Sequence, residues 1–152
     1  MRKATIFAAV LLAGCGGDEH KKSDLVPQDE INRRVATQLD PQVILFPDIE
    51  KNDLYGPNCA FAPEGHGIGA VAILRKEDGY MKLRDKLVRF AADSGSDELP
   101  MGARSRYTGM EHTFVLTPDQ AISAGGGKGR LVVTNLHEIT VYDARGDIQC
   151  NA

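Results

Sequence analysis

Short apolar runs broken by turn residues occupy most of the chain, and their period is nearer two than 3.6. His112 to Leu116 (HTFVL), Arg130 to Thr134 (RLVVT) and Glu138 to Tyr142 (EITVY) are rich in β-branched and aromatic residues and predict strands. Gln42 to Phe46 (QVILF), closed by Pro47, and Gly69 to Arg75 (GAVAILR), followed by the turn Glu77-Asp78-Gly79, predict two more. Asp48 to Asn58 is loop-like and ends in the turn cluster Gly56-Pro57-Asn58. Cys59-Ala60-Phe61 begins a strand that Pro63 to Gly67 soon breaks.

Tyr80 to Ala92 (YMKLRDKLVRFAA) fits two patterns. A helix would gather Tyr80, Leu83, Leu87 and Phe90 on one face. Two strands would alternate Met81 and Leu83 with Lys82 and Arg84, then Val88 and Phe90 with Arg89, about a turn at Asp85-Lys86. The strands are preferred because a turn signal precedes the segment and both neighbours read as extended. Asp93 to Met101 is a polar loop, and Ser123 to Lys128 a glycine-rich connection. Asp143 to Asp147 (DARGD) reads as a tight turn before a last short strand, Ile148 to Cys150. Strands recurring at about 8–12 residues predict a mainly β chain, a small antiparallel sandwich or barrel-like domain. One short N-terminal helix is expected over Asp29 to Leu39, where Ile31, Val35 and Leu39 recur every four residues before Asp40-Pro41.

The N-terminus has another character. Met1-Arg2-Lys3 is basic, and Ala4 to Ala13 (ATIFAAVLLA) carries no charge. That run is about half the roughly 20 apolar residues needed to cross a bilayer, so it reads as a secretory signal helix that is cleaved off. Leu12-Ala13-Gly14-Cys15 resembles the lipobox of bacterial lipoproteins. The resemblance covers residues 1–17 and implies cleavage before Cys15 with lipid on that cysteine. Two or three acyl chains, each gaining about 0.8 kcal/mol per buried CH₂, would anchor the protein firmly. The residue after the cysteine is Gly16 rather than Asp, which in enteric-type members of that family implies the outer membrane, facing the periplasm. The expected layout is a signal over 1–14, a lipidated polar tether over 15–28, and a β-rich domain over 29–152.

Composition narrows the functional classes. Removing Arg2 and Lys3 from 18 basic residues leaves 16 against 21 acidic ones, a net charge of −5 with His neutral. An acidic surface disfavours the phosphate backbone of nucleic acids as a partner. The absence of Trp disfavours a large stacking platform. With Cys15 assigned to lipid, Cys59 and Cys150 remain of the three cysteines. In an oxidising compartment they make one possible bridge, Cys59–Cys150; the competing reading is two free thiols or a reactive Cys59.

No motif assembles a catalytic or cofactor site. Gly125-Gly126-Gly127-Lys128 resembles a phosphate loop only superficially: Ile122 stands where its first Gly should be, and Gly129 where its Ser or Thr should be. His20, His66, His112 and His137 lack the spacing of a zinc site. Cys59 with His66 could form a nucleophile–base pair only if the thiol were free. Glu64, Glu111 and Glu138 could pair as glycosidase carboxylates, as could acids in most chains of this composition. No catalytic residue, metal ligand or cofactor is therefore assigned. The layout of lipobox, short strands and final Cys150 is also similar to that of membrane-bound inhibitors of c-type lysozyme. The stretch nearest to their Ser-Gly-x-x-Tyr inhibitory motif is Met101 to Tyr107, which lacks the Ser before Gly102 and places Tyr107 two positions late. The leading expectation is a membrane-anchored, non-enzymatic binding or structural module with an envelope protein or ligand as partner. The alternatives are lysozyme inhibition and a small envelope hydrolase.

Overall fold

A computed structural model describes residues 37–65, 67, 69–123 and 125–152. Eight antiparallel strands close into a barrel in simple chain order. They are β1 (Asn58–Pro63), β2 (Ala72–Leu74), β3 (Asp78–Leu83), β4 (Lys86–Ala92), β5 (Arg106–Thr108), β6 (His112–Pro118), β7 (Gly127–Asn135) and β8 (Thr140–Asn151). Strand β8 pairs back onto β1 from Asn58↔Asn151 to Pro63↔Gly146, which joins the first described strand to the last and closes the ring. The mainly β class and barrel architecture expected from the strand spacing are present. No helix among the described residues is long and apolar enough to cross a membrane.

Side chains fill the barrel. Phe61, Leu74, Met81, Phe90, Phe114 and Leu131 are fully buried, so the interior is a packed core rather than a lumen. Phe114 organises one end. It meets Phe90 edge-on at 4.9 Å and stacks on Tyr107 at 5.0 Å, geometries worth about 0.5–1.5 kcal/mol beyond their buried area. Gly79 makes this stack possible, because a Cβ there would lie 2.8 Å from both Phe114 and Tyr107. The expected turn at Glu77–Gly79 is accordingly displaced: Lys76-Glu77 bends, and Asp78 and Gly79 already belong to β3.

Tyr80 to Ala92 forms the hairpin expected of it, with the turn one residue earlier. Leu83 pairs with Lys86, leaving Arg84 and Asp85 as the two turn residues, both at positive φ (49° and 61°). Such two-residue turns match the right-handed twist of the flanking strands. Gln42 holds this turn from outside, donating to Asp85 Oδ1 at 3.0 Å and accepting from Asp85 N at 2.6 Å.

The segment before β1 departs from expectation. Gln42 to Phe46 is not a strand. It runs as a strap across the outside of β2–β4, held by Gln42 N→Lys82 O and Ile44 N→Ala70 O, both 2.8 Å. Pro47 does not close a strand; it lies in the first turn of a short helix, α1 (Phe46–Lys51), where its lack of an N–H costs nothing. Asp48 caps that helix by accepting from Leu45 N at 2.9 Å and also binds Lys82 Nζ at 2.9 Å. The strap covers Ile73, Tyr80 and Leu87, outward-facing residues that would otherwise be wet, with Ile44, Ile49 and Leu54. Of the helix expected over Asp29 to Leu39, residues 29–36 lie outside the described residues. Thr37 to Leu39 are not helical, and Leu39 N–H donates instead to Val141 O at 2.9 Å.

Asp143 to Asp147 is no turn but the middle of the twelve-residue β8. Tyr142, Ala144, Gly146, Ile148 and Cys150 face inward, and the charged residues between them face outward onto neighbouring elements. Arg130 forks onto Asp143, Arg145 meets Asp119, and Lys128 meets Asp147 at 3.1 Å. Cross-strand charge pairing thus makes strand positions of residue types that favour turns. Gly146 serves close approach, not reversal: a Cβ there would lie 2.2 Å from Ala62 O. The glycine-rich connection similarly ends early, because Gly127 and Lys128 already pair with Ile148 and Asp147.

Candidate functional site

The wall is uneven, and the unevenness makes a cleft. Strand β4 has seven residues but β5 only three, and they pair only at Ala91↔Thr108 and Ala92↔Tyr107. Over Lys86–Phe90, β4 pairs with β3 alone among the described residues. The β5–β6 turn, Gly109 to Glu111, closes against Phe90: a Cβ on Gly109 would lie 2.8 Å from that ring. Beyond this turn the wall stands open as a cleft of about 560 Å³. Its apolar lining is Leu39, Leu83, Leu87, Val88, Phe90 and Met110; Arg84, Lys86, Arg89, Glu111 and His112 supply the polar groups. The volume falls within the roughly 300–1,000 Å³ usual for small-ligand sites.

The polar groups are not equivalent. Arg89 is committed to the buried Asp78, with Nε 3.1 Å from Oδ2, and Tyr80 donates to the same oxygen at 3.0 Å. Arg75 Nε lies 3.2 Å from the other oxygen, off the hydrogen-bonding line, and balances it ionically. Hydrogen bonding to Asp78 raises the pKa of Arg89, while burial, then Asp78, raises that of Tyr80. Arg84 and Lys86 are exposed and form no ion pair among the described residues. Across from them stands His112. Burial lowers its pKa and the Arg84 charge lowers it further, against the opposing pull of Glu111. Met110 on the lip is 92 % exposed, unusual for so large an apolar side chain.

The sequence-derived site residues fall as follows. Cys59 and Cys150 are joined, opposite one another in the β1–β8 pair with Cα atoms 4.0 Å apart, and both are buried. The bridge consumes the Cys59 thiol, so no Cys59–His66 nucleophile forms; His66, like Cys15 and His20, lies outside the described residues. Glu64 binds Lys128 at 2.9 Å on the outer wall, Glu111 stands on the cleft lip, and Glu138 lies in the β7–β8 turn at φ 59°. These three carboxylates are not brought into one site. His137 is exposed in the same turn as Glu138. No group of three His, Cys, Asp or Glu among the described residues could hold a metal. Tyr107 is fully buried; its hydroxyl donates to Arg75 O at 2.6 Å and accepts from Arg104 N at 2.8 Å. Burial pushes its pKa up to about 12.

The sequence barely marks the cleft. Its one trace in the sequence is a mismatch: an apolar-alternating strand beside a segment, Arg106 to Thr108, too short to pair along it. No protein family, curated protein or solved structure matches the chain.

Proposed function

We propose that this protein is a membrane-anchored, non-catalytic binding module of the bacterial envelope. Lipid on Cys15 holds it, and the cleft beside β4 takes its ligand. The anchoring half rests on the Leu12–Cys15 motif behind a basic, apolar leader. The binding half rests on one observation, the open stretch of wall along Lys86–Phe90 with an apolar floor and polar rim. The packed interior supports a wall site over an internal one. Inhibition of lysozyme through Met101–Tyr107 receives no support from Tyr107, whose side chain is occupied inside the barrel.

Two variants test the two halves. Cys15→Ser should move the protein from the membrane to the soluble fraction; persistence in the membrane would sink the anchor. Val88→Arg, which sets a charge in the cleft, should leave membrane attachment and circular dichroism intact. It should also remove at least one component, detected by mass spectrometry, that co-purifies with the wild type. An unchanged set of bound components would remove the cleft from the proposal.

A further inference from the structure

We infer that the cleft binds a single-chain anionic amphiphile, a carboxylate head on an alkyl chain, with the head at Arg84 and Lys86 and the chain along Val88 and Phe90. This inference rests on the binding role given to the cleft above and adds the ligand's chemistry. The carrying observation is segregation of charge. Arg84 stands in the β3–β4 turn and Lys86 begins β4 just after it, at one end of the opening, with no carboxylate of the protein paired to them among the described residues. From Lys86 to Phe90 the strand runs about 13 Å at roughly 3.3 Å per residue, and the floor along it is apolar. Met110 extends the apolar lip into solvent, and burial lowers the pKa of His112, which stands across the opening. Glu111, next to Met110 on the lip, repels an anionic head, which favours the Arg84 and Lys86 side for it.

The basic end does not follow from a generally basic surface, since the chain carries a net charge of −3. Nor are its cations spent on structure: Arg75, Arg89 and Lys82 are paired to Asp78 or Asp48, whereas Arg84 and Lys86 are left to solvent. A free anion alone would leave the apolar floor wet, and an uncharged hydrocarbon would leave the cations without a purpose. An amphiphile uses both.

The test is isothermal titration of the full-length chain carrying Cys15→Ser, so that no lipid of its own competes. The probes are octanoate, decanoate and dodecanoate below their aggregation limits, with dodecanol and dodecyltrimethylammonium as controls. The expected result is one saturable site whose Kd tightens about fourfold per added CH₂ until the chain outgrows the cleft. The Met110 methyl resonance should shift on binding. Arg84→Asn with Lys86→Gln should weaken dodecanoate roughly tenfold and leave dodecanol unchanged; both positions are exposed, and a melting temperature no lower than that of the wild type establishes that the variant is folded. Equal binding of the cationic and anionic probes, a Kd indifferent to chain length, or no saturable binding overturns the inference. If carboxylates fail while Val88→Arg still strips an envelope component such as a peptide, the ligand class alone is wrong. If Val88→Arg also changes nothing, the cleft's binding role falls with it.

Discussion

Removing the Cys59–Cys150 bridge should cost more stability than any other small change to the barrel. The cysteines are 91 residues apart in sequence, so the bond closes a long loop in the unfolded chain. Chain-entropy arithmetic for a loop of that size gives about 4.6 kcal/mol at 25 °C. The whole stability of such a domain is about 5–15 kcal/mol, so the loss is a large share of it. Both cysteines are buried, and a Cys59→Ala/Cys150→Ala variant adds a smaller cavity cost of about 1 kcal/mol. Urea unfolding, with oxidised, reduced and double-alanine proteins compared, is the assay. The midpoint should fall with reduction, and the slope should steepen because an uncrosslinked denatured chain exposes more surface. Kinetics give a sharper criterion. Strands β1 and β8 lie far apart in the chain, and the long loop between them must be closed to reach the transition state, so loss of the bridge should slow refolding more than it speeds unfolding. A stability loss under 1 kcal/mol, or an effect confined to the unfolding rate, would refute this account.

Other outcomes follow from particular contacts. Tyr107→Phe leaves Arg75 O and Arg104 N without the hydroxyl that partners them and should cost about 1–3 kcal/mol in thermal denaturation. Because the folded pKa of Tyr107 is raised to about 12 from 10, the unfolded state loses its proton first; stability should fall as pH rises from about 10 to 12, by roughly 2–3 kcal/mol in alkaline unfolding, and Tyr107→Phe should flatten that decline. Gly79→Ala drives a methyl to within 2.8 Å of Phe114 and Tyr107 and should destabilise by about 1–3 kcal/mol, measured by the denaturant midpoint. Arg84→Asn places a residue tolerant of left-handed backbone at φ 49° and should raise stability by about 0.5–1 kcal/mol. By removing a nearby positive charge it should also raise the His112 pKa, which an NMR titration should find below its usual 6.5 in the wild type.

What could be read from the sequence depended on whether local chemistry and the final neighbours agreed. His112–Leu116 and Arg130–Thr134 read as strands on any count, since alternation and β-branched composition point the same way, and both lie within longer strands. The hairpin from Tyr80 to Ala92 was legible for the same reason, despite the helix propensity of its Lys, Leu and Ala residues. The bridge followed from counting cysteines once Cys15 had been set aside. Where the reading failed, tertiary partners decided. DARGD has the composition of a turn, and only Arg130, Asp119 and Lys128 on adjoining elements make it a strand. QVILF has the composition of a strand, but the wall had closed without it, and its apolar side chains were used to cover the outside of β2–β4. The cleft was hidden because it arises from unequal strand lengths, which composition does not encode.

The barrel wall can be thought of as eight zippers joined in a ring, and they do not hold equally. The β7–β8 seam has eight residue pairs, and the β1–β8 seam has six and a covalent rivet; the β4–β5 seam has two. Strain put into this ring therefore leaves through β4–β5, beside the cleft. Amides flanking that seam should be the first in the barrel to exchange with solvent, and those of β8 the last. A ligand lying along β4 would brace the ring where it is weakest, so its arrival should be felt as stiffness around the whole circumference rather than as a change of shape.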